Sequence, residues 1–169
     1  GIGETSPDPG RGPDSEETTL SATEFMLGNT LLGSRLKDLR TVLAYLRSRS
    51  DLDVDRIGLW GESPAPSNPE RLLLDEIPIW QIGPVIQQQA EPLGSLLALL
   101  AGLYEEQIRV IAARGGLVSY QTVLADNFVY VPNDVIVPGI LEVGDICDVI
   151  EVLSPKPTLI QALVDGRNR

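Results

Sequence analysis

Histidine does not occur anywhere in these 169 residues, and there is one cysteine and one methionine. Without an imidazole and with a single thiol, the nitrogen and sulfur ligands that zinc and most transition metals require are missing. Only an all-oxygen site could be built, and no pattern for one is present, so neither a metal nor another cofactor is expected. Cys147 on its own excludes an internal disulfide and points to no redox compartment. Basic residues are also scarce, with 13 Lys and Arg against 24 Asp and Glu, for a formal charge of −11. That balance argues against a nucleic-acid backbone or an anionic membrane surface as partner, because both would be repelled. A neutral substrate is compatible with it. No apolar run is long enough to span a bilayer, no charged start followed by an apolar core marks a signal peptide, and localisation stays open.

What is present is the composition of a folded domain: 43% hydrophobic and 22% charged residues, enough for one core. Residues 1–22 are rich in Gly, Pro, Ser, Asp and Glu and are expected to form a flexible polar segment, with the domain occupying 23–169. The opening Gly1-Ile2-Gly3-Glu4-Thr5 has no methionine and reads as the inside of a loop, so a segment of a longer chain is expected. Leu32, Leu36, Leu39, Leu43 and Leu46 then fall at spacings of four and three, which lines one helix face, while Arg35, Lys37, Asp38, Arg40 and Arg47 take the other. Core packing explains that stripe better than a partner-binding zipper.

The chain is organised around Asp55-Arg56-Ile57-Gly58-Leu59-Trp60-Gly61-Glu62-Ser63-Pro64, where a short buried strand stops on Gly-x-Ser. A sharp turn at the carboxyl end of a parallel strand can hold a serine oxygen clear of the backbone, within reach of a base and amide donors. Ser63 is therefore the candidate nucleophile, with a plain turn serine as the alternative. Ala65 stands where a second glycine is usual, and Pro64, Pro66 and Pro69 forbid an immediate helix. Residues 64–92 read as an insertion over the site. Trp80 is either an anchor within it or a wall of a substrate cleft, and Glu91, ahead of Pro92, is a weaker candidate for substrate binding.

Helical spacing returns with Leu93, Leu96, Leu97, Leu100 and Leu103, interleaved with Gly94, Ala98, Ala101 and Gly102, which would let a helix lie close to a sheet. A second strand over 108–113 ends in Arg114-Gly115-Gly116, a helix is expected over 143–153, and a third strand over 158–164 leads to Asp165-Gly166. Alternating helices and buried strands make an α/β protein with a parallel sheet of about three strands and flanking helices. Ligands in such folds bind at the carboxyl ends of strands, where both Ser63 and Asp165 fall. Asp126, Asp134, Asp145 and Asp148 are expected to be solvated.

These pieces resemble part of an α/β-hydrolase, most closely the acetyl xylan esterase-like and dienelactone hydrolase-like enzymes related to prolyl oligopeptidases. The resemblance rests on Gly1 to Thr5 as the loop after a fourth strand, on Asp55 to Ser63 as the fifth strand and elbow, on Arg114-Gly115-Gly116 after the sixth, and on Ser154-Pro155-Lys156-Pro157 leading to Asp165 after the seventh. It implies a partial α/β-hydrolase fold, an ester substrate of small-molecule size, Ser63 as nucleophile and Asp165 as the acid that orients a histidine. In that family an amide following the nucleophile helps bind the oxyanion. Pro64 has no amide hydrogen and cannot supply it, a contribution worth about 3 kcal/mol elsewhere.

Two expectations follow for function. One is an esterase-like segment whose histidine and remaining oxyanion loop come from the rest of a parent chain. The other is a hydrolase-like domain without activity, kept as a binding or structural module, in which Ser63 and the Asp165-Gly166 turn are structural. Three parallel strands leave raw sheet edges, so either the rest of a parent chain or self-association is expected to cover them.

Overall fold

The alternation of apolar and small residues in Ile57-Gly58-Leu59-Trp60-Gly61-Glu62 forms β1 (Ile57–Glu62), entered from a single 3-10 turn over Val54–Arg56 that Asp53 caps. In the computed structural model, which describes residues 16–70, 89–125, 127 and 129–169, β1 lies beside β2 (Ile108–Arg114) and β2 beside β3 (Thr158–Gln161). All pairing is parallel and the order is β1-β2-β3, so the expected three-stranded parallel sheet with flanking helices is observed. The register sets Leu59 beside Ile111 and Gly61 beside Ala113 on one face, and Trp60 beside Ala112 and Glu62 beside Arg114 on the other.

Helix α3 (Leu93–Tyr104) covers the first of these faces. Its approach depends on missing side chains: a Cβ on Gly61 would stand 2.0 Å from the carbonyl oxygen of Gly94, and one on Gly102 would stand 2.1 Å from Cδ1 of Ile111. Around this contact Leu96, Leu99, Ile108, Ile111 and Leu117 are fully buried and form the centre of the core. Burying each of these large side chains contributes about 1.5–3 kcal/mol before conformational entropy is counted.

The leucine stripe forms α2 (Leu31–Ser48), started by Thr30, whose side chain accepts from the Gly33 amide at 3.0 Å. It packs on α3 rather than on the sheet, so the helical side is two layers deep here. Before it, α1 (Glu16–Met26) begins inside the stretch expected to be a flexible polar segment. Ser21 of α1 is fully buried and donates to the Asn133 carbonyl at 2.9 Å, in a 3-10 turn over Asn133–Val135, which ties α1 to the domain.

The helix expected over 143–153 is two pieces, α5 (Ile140–Val143) and α6 (Ile146–Leu153). Gly144, extended, separates them, and Asp145 starts the second with a capping box shared with Asp148. A cap satisfies the orphan amides of a helix start, which is why the break falls there. The third strand is shorter than 158–164, because Ala162 takes a left-handed φ of 49° that ends regular pairing. An isolated bridge of Val164 to Leu117 resumes it. A short α4 (Gln121–Leu124) follows β2.

Buried carboxylates hold the helices at both ends of the sheet. Glu105, just past α3, accepts from Arg40 at 2.6 Å and from Arg47, both on α2, while Lys156 donates to the Gly102 and Glu105 carbonyls at the end of α3. The Arg40 hydrogen bond, reinforced by Arg47 against the opposing effect of burial, holds the Glu105 carboxyl below the usual carboxylate range. Its contribution is therefore present in full above about pH 4.3 and is lost as pH falls through the lowered value. Replacing Glu105 by Gln should cost about 1–2 kcal/mol at neutral pH, discounted because Arg40 is half exposed, and should flatten the acid limb of a plot of urea midpoint against pH. Gly61→Ala should cost about 1–3 kcal/mol in the same urea titration, since backbone rather than a flexible side chain must move.

Candidate functional site

Ser63 follows the last residue of β1, and its amide donates to the Arg114 carbonyl at 3.0 Å, so it is still held in the sheet as the chain turns away. Its Oγ accepts from the Ala65 amide at 3.3 Å, an ST-turn that leaves the hydroxyl proton available to a base. Beside it, Gly115 has φ +67°, and a Cβ there would come 2.6 Å from Cβ of Ser63. Glycine at 115 thus supplies both the left-handed turn after β2 and the room for the serine.

Asp165 lies beyond β3, directly after the Val164 bridge, so it stands with Ser63 on one carboxyl rim of the sheet. The Asp165 carboxylate is, however, engaged by its own turn. Oδ1 accepts from the amides of Arg167 (2.8 Å) and Arg169 (3.1 Å), and Oδ2 from Nε and Nη2 of Arg169 at 3.1 and 2.9 Å. Glu91 is exposed, one residue before the Pro92 cap of α3. Trp80 and most of the expected insertion, residues 71–88, lie outside the described residues, as do Gly1 to Thr5 and Asp126.

The loops after β1 and β3 are joined by a pair of buried asparagines that motif reading passed over. The Asn68 amide donates to the Asn168 carbonyl at 2.6 Å, the Asn68 side chain to the Arg167 carbonyl at 2.9 Å, and the Asn168 side chain to the Pro66 carbonyl at 2.9 Å. Arg169 adds a bond to the Glu70 carbonyl at 3.2 Å. The same lacing continues through Tyr130, whose amide donates to the Gly166 carbonyl, and through Ala90, whose amide donates to the Tyr130 carbonyl. A buried amide satisfies backbone groups that a proline-rich loop cannot pair in regular structure. An asparagine following a proline-rich turn and another following Asp-Gly are the only signal in the sequence, and either alone reads as an ordinary turn residue.

Asp145 and Asp134, expected to be solvated, are buried. Burial by itself would push the Asp145 carboxyl up, but the Ser119 hydroxyl and the amides of Tyr120, Ile146 and Gln121 outweigh it and hold the group below its ordinary value. The same enclosure, with the nearby Asp145 and Asp134 charges, raises the Tyr120 phenol, which stays protonated and donates to the Val135 carbonyl at 2.8 Å. This network fixes the start of α6 and the loop after β2. An apolar cavity of about 240 Å³ borders it, lined chiefly by α3, α5 and α6, and neither Ser63 nor Asp165 reaches it. Among the described residues, no group of His, Cys, Asp or Glu side chains could hold a metal ion.

Comparison with protein-family models, curated proteins and solved structures gives no match. The rim is therefore characterised by its own geometry: a serine and a carboxylate at the ends of strands flanking β2, with the intervening loops locked together. Asn68→Ala and Asn168→Ala should each destabilise the chain by about 1–3 kcal/mol, because each leaves buried carbonyls or amides unpaired. The double variant should lose less than the sum, and a thermodynamic cycle from urea titrations checks that coupling.

Proposed function

We propose that this chain is a serine hydrolase-like segment of carboxylesterase type, with Ser63 in the nucleophile position, Asp165 in the acid position and a small-molecule ester as substrate class. The observation that carries the reading is the shared carboxyl rim of β1 and β3, where the ends of parallel strands present the two side chains on either side of β2. In such a reaction the serine oxygen attacks the ester carbonyl carbon, its proton passes to a base, and the alkoxide leaves as the acyl-enzyme forms. The base has to come from outside these 169 residues, which contain no histidine. Loss of the base in a serine triad lowers turnover by about a millionfold, so the chain by itself is inactive as an esterase.

A second reading is favoured by two observations on the same rim. Pro64 removes the amide donor that should follow the nucleophile, and Arg169 already occupies the Asp165 carboxylate that would orient a histidine. Under that reading the segment is a hydrolase-like binding or structural module, and the asparagine-joined loops close over what was the entrance.

Labelling with a fluorophosphonate probe separates the two. On the esterase-like reading, labelling of the chain is slow, rises with added imidazole as an external base and disappears in Ser63→Ala. Absence of imidazole-dependent labelling in a chain that melts cooperatively would leave the module reading standing. Arg169→Gln, which removes the guanidinium from Asp165, should increase the imidazole-dependent rate if the carboxylate can orient the base.

A further inference from the structure

The helices α2, α3 and α6 gather on one side of the sheet, and the other side is open among the described residues. Trp60, Val110 and Leu159 stand there 74%, 48% and 55% exposed. The register aligns Trp60 with Ala112 and Ala112 with Leu159, and Gly58 with Val110, so the apolar side chains form a continuous patch across three strands. At its edge, β1 has a strand neighbour on one side only among the described residues. Because the Ser63 amide points to Arg114 of β2, the strand period of two turns the amides and carbonyls of Leu59 and Gly61 the same way. Those of Gly58, Trp60 and Glu62 point out of the sheet, away from β2.

The two outer edges differ in how they are protected. β3 is four residues long, is preceded by Pro157 and ends at the left-handed Ala162, all features that blunt an edge. β1 is six residues long, contains neither proline nor lysine, and carries its single charge at its last position. An edge of that kind is a template for another strand.

We propose that β1 is a self-association edge, at which a second copy of this chain pairs its own β1 in antiparallel fashion about a two-fold axis through Leu59 to form a continuous six-stranded sheet. The register follows from which groups point outward. Gly58, Trp60 and Glu62 must occupy the hydrogen-bonded positions, and a two-fold through Leu59 opposes Gly58 to Trp60 of the other copy, twice over. The indole then covers the strand position that lacks a side chain, the arrangement by which an aromatic compensates an edge glycine. The same register brings Glu62, which already accepts from Arg114 and from the Trp60 indole, opposite Arg56. Arg56 closes the turn before β1 with its amide on the Asp53 carbonyl, so what it adds at each end is charge and not a further ladder bond. Shifting the axis to Trp60 would set indole against indole and carry Arg56 against Pro64, losing both complementarities. Pairing in the chosen register ends before the prolines that follow Ser63. Such pairing is independent of whether Ser63 is a nucleophile.

The test is sedimentation velocity on the 169-residue chain over a concentration series, at about 0.15 M salt so that repulsion between two copies of charge −11 is screened. A reversible dimer is expected. Trp60→Lys, at an exposed position outside the core, should raise the dissociation constant about tenfold or more by removing both indole–glycine pairs and setting a charge on the edge. In a Cys147→Ser background, Leu59→Cys should cross-link to its symmetry mate on mild oxidation, since directly opposed non-hydrogen-bonded residues have the Cα separation a disulfide needs. A Lys37→Cys control on the exposed face of α2 should not. A monomer at every concentration would overturn the proposal, and so would a dimer indifferent to Trp60→Lys in which the Leu59→Cys variant forms no cross-link.

Discussion

The close approach of α3 to the sheet at Gly61 and Gly94 is the constraint on which the remainder of the structure depends. Two backbones meet there without a side chain between them, and the adjoining contact of Ala98 with Gly61 and of Gly102 with Ile111 keeps the whole helix at that distance. Close approach fixes the height of α3 over β1 and β2, and through α3 the position of α2 and α6. It also determines where the first turn of α3 stands relative to Glu62, and hence the shape of the rim that carries Ser63. Apolar burial supplies most of the energy, but it is indifferent to orientation; the missing methyl groups select one.

The rim combines an arrangement suited to acyl transfer with local chemistry that works against it. Ser63 stands where β1 ends, its amide still bonded to Arg114, and the absence of a side chain on Gly115 lets the neighbouring turn pass close without displacing it. Against this, the residue after the serine is a proline, and the carboxylate on the far side of β2 is held by Arg169 and by two amides of its own turn. A carboxylate accepting that many bonds is well placed to shape a loop, and it would have to release some of them to orient a base. The balance between those demands on one side chain, rather than the fold, decides between a reactive serine and a structural one.

Much of the architecture was legible because helix and strand periods are local properties. The stripe of Leu32, Leu36, Leu39, Leu43 and Leu46, the apolar run at 57–60 and the small residues of α3 each declare an element without reference to anything distant. Where reading failed, the cause lay in tertiary partners. Asp145 looks like one more surface acid until Ser119 and Tyr120 arrive from a loop 25 residues away, and α1 looks like polar linker until Ser21 meets Asn133. The break at Gly144 was signalled by Gly144-Asp145 with Asp148 three residues on, a stop followed by a cap, and was passed over inside an otherwise apolar run. The early end of β3 at Ala162 carries no such punctuation. The placement of Ser63 and Asp165 on one rim could be inferred from the strand pattern alone. The guanidinium on Asp165 comes from Arg169 four residues on and was passed over because an Asp-Gly turn does not fix which way a nearby arginine folds. The pairing of Asn68 with Asn168 could not be read, since nothing in a linear pattern relates residues so far apart.

That asparagine pair has a consequence for how the loops move. Loops at the ends of strands are ordinarily the first parts of a domain to open, exchanging their amide protons through small fluctuations that leave the core intact. Here residues 66–70 and 165–169 share buried bonds, so neither can lift without the other, and the second is tied in turn to Tyr130 through Gly166. Kinetically they belong to the sheet: their amide protons should exchange in step with those of the strand ends, and the segment that follows β1 opens together with the segment that follows β3.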